Sequence, residues 1–297
     1  MKVLACLIGW VLMFNPLPGE SSEPSSSMIS VGTHRLQVHI AGEGTPAVII
    51  DAGIGDTSDR LQTLQKRLAQ TTLVVTYDRA GYGRSEPGPL PRHSGREAEE
   101  LKDLLESASV PGPYVVVGHS LGALNVQVFA VKHAADVVGI VLLDPPPLSF
   151  IRGEEYTSLL DMAERMTAEW QAIADSGAGS ADPQERAKAG FCAMIASEHR
   201  QMLGESARLV SGISSFGRTP LLVMAAGVPN PAFGDIAEEF QKFWIEQSHL
   251  LTNRSSNGQF VLAEESSHHL YVDELDLVVE SILSIVTQAR AEHETGR

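Results

Sequence analysis

A β-branched apolar run, Tyr114-Val115-Val116-Val117, stops at the pentapeptide Gly118-His119-Ser120-Leu121-Gly122, and a helical pattern follows it. A chain that passes from strand to helix in so few residues must turn sharply, and the turn lifts one side chain clear of the strand end. Side chains at 118 and 122 would collide with the neighbouring strand and helix, so glycine suits both positions. Ser120 then heads a helix, close to backbone N–H groups that lack intrahelical partners. A serine hydroxyl is a poor nucleophile unaided. It needs a base to take its proton and donors to hold an oxyanion.

Strand and helix patterns alternate around this segment. Residues 47–51, 73–77, 114–117 and 137–143 are short apolar runs, with helical spacing over 61–69, 93–107 and 121–133. Runs that are continuously apolar predict a parallel sheet covered on both faces. Residues 30–41 alternate across Gly32, which predicts a hairpin. The rhythm breaks after residue 147: no strand is convincing over 148–217, while 156–173 and 183–210 read as helices. It resumes with a strand at 220–226, a helix at 235–251, a strand at 260–263 and an amphipathic helix at 274–289. The expected architecture is one α/β domain over 28–297, a mostly parallel central sheet flanked by helices, with a helical cap insertion at about 148–217. Such an insertion would lie over the carboxyl ends of the strands, where open α/β sheets bind ligands.

The 297 residues, 43% hydrophobic and 20% charged, suffice for a domain of that size. A formal net charge of −15 without a basic stripe argues against nucleic-acid binding. Cys6 and Cys192 fit neither a disulfide framework nor a metal site, and Cys192 reads as a small buried hydrophobe. Met1 to Phe14 carries one lysine and an apolar run, ended by Asn15-Pro16-Leu17-Pro18-Gly19 and a Ser/Glu/Pro-rich stretch to Ser27. That is a secretory signal pattern, shorter than the ~20 residues of a spanning helix. Residues 1–27 are therefore expected to be a signal or anchor segment. Cleavage would send the protein to the periplasm or outside the cell, and retention would allow peripheral membrane association.

Four ordered motifs together resemble the α/β-hydrolase superfamily. They are Asp51-Ala52-Gly53-Ile54-Gly55, Asp78-Arg79-Ala80-Gly81-Tyr82-Gly83-Arg84-Ser85, Gly118-His119-Ser120-Leu121-Gly122 and Ser266-Ser267-His268-His269, spread across about residues 30 to 290. The resemblance implies that Ser120 is the nucleophile and that the base lies before the last helix. His268, which follows the small Ser267, is favoured, with His269 lining the site. His119, next to the nucleophile, should point away from it and pack or hydrogen-bond structurally. The acid has two candidates. Most of the family carries it in a Gly-x-x-Asp context after a later strand, where this chain has the neutral Asn230. Asp144 ends the strand after the elbow strand, a position some members use, and also reads as a turn residue before three prolines. Asp235 is the alternative acid and also reads as a helix N-cap. Asp144 is favoured. The backbone N–H groups of Leu121 and Ile54 should form the oxyanion hole. Asp78-Arg79 is expected to brace the Ile54 loop through an ion pair, and Tyr82 to line the pocket.

The implied activity is that of a serine hydrolase cleaving an ester-like bond of a small, apolar substrate through an acyl-enzyme, without metal or cofactor. Residues 148–217 should cover the pocket, with Leu148, Phe150, Ile151, Leu159, Leu160, Trp170, Phe191 and Met194 as apolar lining or core. Acyl transfer to another acceptor, perhydrolysis, amide cleavage and C–C hydrolysis would use the same machinery. Haloalkane and epoxide hydrolysis are disfavoured, since those relatives carry Asp at the elbow. A non-catalytic ligand-binding or regulatory protein on the same fold is the rival of a different class.

Overall fold

A computed structural model describes residues 25–294. Eight strands form one sheet in the order β1-β2-β4-β3-β5-β6-β7-β8. Strands β1 (Ser25–Ser30) and β2 (Arg35–Ala41) pair antiparallel, and β2 runs antiparallel to β4 (Val74–Tyr77). The remaining pairings are parallel, joining β3 (Ala47–Asp51), β4, β5 (Tyr114–His119), β6 (Val137–Leu143), β7 (Leu221–Ala226) and β8 (Gly258–Ala263). Every residue of β3, β4, β5 and β7 is buried, as expected for strands covered on both faces.

The two-residue period of the strands divides their side chains between two cores. Ile49, Val116, Leu142 and Val223 pack with α2 (Ser94–Ser107), α3 (Leu121–Lys132) and α8 (Ala237–Leu251). Ile50, Val115, Val117, Val141 and Met224 pack with α1 (Ser58–Leu68) and α10 (Leu275–Glu294). Helix α3 is buried along most of its length, including Leu124, Val126, Val128 and Phe129, so the chain leaving the elbow is clamped from several sides.

Between β6 and β7 the elements are helical: α4 (Leu148–Ile151), α5 (Thr157–Gly177), α6 (Pro183–Gln201) and α7 (Ala207–Ser211). Helix α6 starts where Asp182 accepts a hydrogen bond from the Gln184 N–H and Pro183 occupies the first turn. The helix expected to run unbroken over 183–210 is interrupted by a π-helical turn, Met202–Ser206, in which Gly204 leaves helical geometry at φ −122°, ψ −106°.

Two boundaries differ from the sequence reading. Strand β1 begins at Ser25, inside the stretch assigned to the leader, because Ser25 to Ser30 find partners along β2 from Ile40 to Arg35. The rest of the leader, residues 1–24, lies outside the described residues. A short helix, α9 (Leu270–Asp273), precedes α10 where only a loop was expected. Among the described residues no helix is long and apolar enough to cross a membrane.

Candidate active site

Strand β5 lies between β3 and β6, so its carboxyl end is flanked by the loops that leave those two strands. Ser120 sits there at φ 52°, ψ −116°, a conformation that is costly for a residue with a side chain. Its neighbours hold it in place. The Ser120 N–H donates to the Leu143 carbonyl at the end of β6 (3.0 Å), and the Ala123 N–H donates back to the Ser120 carbonyl (3.0 Å). A Cβ at Gly118 would stand 2.3 Å from the Gly122 carbonyl oxygen, and one at Gly122 would stand 2.3 Å from that of Asp51. Strand, elbow and β3 loop therefore meet backbone to backbone. Leu121 is the first residue of α3, and Ile54 lies in the loop after β3. A Cβ on Gly53 would fall 2.7 Å from His119 Nδ1, which shows how closely that loop meets the elbow.

Asp144 follows β6 directly, also in a left-handed conformation (φ 46°). Its Oδ1 accepts from the Ala226 N–H at the end of β7 (3.0 Å), and its Oδ2 lies 2.6 Å from His268 Nδ1. A carboxylate accepts, so Nδ1 carries the imidazole proton and Nε2 presents its lone pair. The carboxylate is buried and the His268 ring about one-third exposed. Asp235 is not brought to this histidine. It is exposed in a 3-10 turn, Pro231–Ile236, and Ile236 rather than Asp235 occupies the N-cap of α8. Asn230, at the position the Gly-x-x-Asp pattern would fill, instead caps that turn by accepting from the Ala232 N–H (3.0 Å).

His269 is engaged elsewhere. Its Nε2 lies 2.6 Å from Arg60 Nη1 and 3.4 Å from Asp56 Oδ2. His119 is fully buried and its Nε2 lies 2.7 Å from the His268 carbonyl oxygen, so Nε2 is the protonated nitrogen and donates. Its ring centroid is 4.7 Å from that of His268. Burial, reinforced by the neighbouring His268, pushes the His119 imidazole well below its usual pKa, which keeps it neutral. The sequence reading expected a structural hydrogen bond here. The acceptor, the backbone of the loop that carries His268, had no signal in the sequence because the two residues are 149 positions apart.

The Ile54 loop is braced by a buried charge network. Arg79 donates to the carbonyls of Ala52 (2.6 Å) and Gly53 (2.9 Å), immediately before Ile54. Its ion partners are Asp51 (2.7 Å) and Glu198 on α6 (3.0 and 3.1 Å). Asp78, its expected companion, faces away and accepts from the Ser58 N–H and hydroxyl (both 2.7 Å). Tyr82 donates to Glu198 (2.5 Å) and accepts from the Gly55 N–H (3.3 Å). Burial favours the neutral form of Glu198, yet the Arg79 charge holds its carboxyl below the ordinary range. Nearby Glu97 goes the other way: burial and the Glu198 charge push its carboxyl well above the usual range, against the pull of Arg92 and Arg79. Glu198 was missed in the sequence because a lone glutamate in a helical stretch reads as a solvated face.

A pocket of about 110 Å³ opens beside the His268–Asp144 pair, with Trp244 and Phe233 among its walls. Of the apolar residues expected to line or fill the site, Phe150, Ile151 and Leu159 belong to the core beneath α4 and α5. Trp170, Phe191 and Met194 pack around Tyr82.

The profile of the alpha/beta hydrolase family matches residues 48–280, which take in the elbow, Asp144 and His268. The chain belongs to that family. It is 26% identical over 241 residues to the uncharacterized protein YqjL of Bacillus subtilis, covering 81% of this chain and 83% of the relative. In structure it resembles a thermophilic esterase from Thermogutta terrifontis, with a TM-score of 0.64 at 18% identity over 89% of this hydrolase and 99% of that chain. It also resembles the epoxide hydrolase CorEH, with a TM-score of 0.61 at 14% identity over 90% and 99%. At such identities the structural likeness concerns the fold.

Proposed function

We propose that this hydrolase is a serine hydrolase that cleaves an ester-like bond through an acyl-enzyme. One observation carries the reading: the 2.6 Å contact of Asp144 with His268 Nδ1, on the sheet edge where Ser120 stands at the tip of its strained turn. His268 Nε2 takes the Ser120 proton as Oγ attacks the carbonyl carbon. Asp144 stabilises the imidazolium that forms. The N–H groups of Leu121 and Ile54 receive the oxyanion. His268 then protonates the leaving alcohol, and a water activated by the same imidazole releases the acid and restores Ser120.

A fluorophosphonate probe tests the assignment. It should label the wild-type chain once, at Ser120, and leave Ser120→Ala unlabelled, with hydrolysis of short p-nitrophenyl esters lost in parallel. A folded wild type that neither labels nor turns over any ester would refute it and favour a ligand-binding role.

A further inference from the structure

A second cavity, of about 200 Å³, lies between α3, α8 and the proline loop after Asp144. None of Ser120, His268 and Asp144 lines it. Its walls are mainly apolar, with Leu124, Leu148 and Val210 among them, interrupted by Gln127, Gln247 and two groups of particular interest. The first is Arg254. Among the described residues its guanidinium meets no carboxylate, and its one hydrogen bond goes to Gln127 Oε1 (2.7 Å). Burial works against that charge. The buried arginines Arg79 and Arg92, by contrast, are matched by carboxylates. The second is Ser248, buried on α8, whose hydroxyl has no hydrogen-bond partner among the described residues.

We propose that this cavity binds a small monocarboxylate with an apolar body, its carboxylate on Arg254 and Ser248 and its hydrocarbon against Leu124, Leu148 and Val210. The chemistry follows from the lining. A guanidinium fork matches the two oxygens of a carboxylate. A half-buried cation without an anion, beside an unpartnered hydroxyl, leaves both groups poorly satisfied until a ligand supplies acceptors. The apolar walls favour a hydrocarbon portion over a fully hydrated ion such as phosphate.

Calorimetric titration of the full chain with hexanoate tests this. Wild type should bind, and Arg254→Gln should weaken binding by about tenfold or more, the loss of one charge-assisted hydrogen bond. Ser248→Ala should weaken it to a lesser degree, and Leu124→Trp should abolish it by filling the cavity. Ester turnover should stay unchanged in Arg254→Gln. Hexanol, which lacks the charge, and inorganic phosphate, which lacks the body, should each bind far more weakly than hexanoate. Absence of binding to wild type would overturn the proposal, as would phosphate binding as well as hexanoate. Loss of hexanoate binding after Ser120 is blocked by a fluorophosphonate would also overturn it, since the ligand would then occupy the hydrolytic site. Should Arg254→Gln fail to fold, as judged by circular dichroism, unaltered binding in both Ser248→Ala and Leu124→Trp refutes the site on its own.

Discussion

Glu198→Gln removes one negative charge from the buried network while keeping the side-chain shape. In the wild type Glu198 holds Arg79 through two bonds of 3.0 and 3.1 Å and accepts from Tyr82, all out of contact with water. Breaking a buried pair of this kind costs about 3–5 kcal/mol, because the partner charge stays desolvated. Two features of the site reduce that cost. Asp51 stays on Arg79 Nη1 at 2.7 Å. Glu97 also stays 3.8 Å from Arg79 Nε, and losing the Glu198 charge removes one cause that pushes its carboxyl up. The expected loss is therefore at the lower end, about 3 kcal/mol of unfolding free energy. For a domain of this size that lowers the melting temperature by roughly 5 °C. Arg79 also fixes the carbonyls of Ala52 and Gly53, so the variant's Ile54 N–H should be less well aimed. Ester turnover should fall about tenfold, equivalent to ~1.4 kcal/mol of transition-state stabilisation, with KM little changed. Urea denaturation and steady-state kinetics measure both quantities. A variant whose midpoint stays at the wild-type value, or whose stability falls while turnover does not, refutes the link from α6 through Arg79 to the loop.

Asp144→Asn should reduce ester turnover by about 10³–10⁴-fold, whereas Asp235→Asn should leave it near wild type; the reverse ranking in a kinetic assay would reassign the acid. Gly122→Ala, whose Cβ would meet the Asp51 carbonyl oxygen at 2.3 Å, should cost on the order of 3 kcal/mol in denaturant titration, since both clashing partners are backbone. His199 is buried against the Thr167 hydroxyl (2.6 Å), and burial holds its pKa at about 4, below its ordinary 6.5. The unfolded chain takes up that proton first, so its contribution is whole above pH 6.5 and is lost as the pH falls towards 4, by up to about 3 kcal/mol. His199→Gln should show a shallower fall in stability across that window, and an unchanged pH slope would contradict the assignment.

Much of the fold was legible because its signals are local. The continuous apolar runs gave the parallel strands to within a residue or two, and Gly32 marked the β1–β2 turn. The elbow was legible for a steric reason, since its two glycines stand where any side chain would strike backbone. What was not legible depends on contacts between distant segments. Strand order places β3 between β4 and β5, and no local pattern encodes that pairing. That Asp144, and not Asp235, meets His268 depends on how the folded loops converge, 124 residues apart in the chain. The Arg79 partners Asp51 and Glu198 lie 28 and 119 residues from it, beyond the reach of spacing arguments. The helical break at Gly204 was missed because the residues on either side keep a helical pattern.

Ser120 and Asp144 share an unusual backbone state, and the sheet explains how both are held. Each is a non-glycine residue at positive φ, a conformation costing about 1–3 kcal/mol. Each follows a central strand, β5 or β6, and each N–H reaches across to the end of the next strand: Ser120 to the Leu143 carbonyl, Asp144 to the Met224 carbonyl (2.8 Å). The parallel ladder thus extends one residue beyond its regular end at both places and offsets the strain there. Asp144 continues the pattern with its side chain, which takes the Ala226 N–H with one oxygen and His268 with the other. Serine is therefore registered against β6 and the carboxylate against β7. A shift of β6 against β5 would move Asp144 relative to Ser120. The loop after β8 is tied back to the elbow by His119, the residue preceding Ser120, through the His268 carbonyl. The imidazole is consequently located twice relative to the serine, once from β6 through its ring and once from β5 through its backbone.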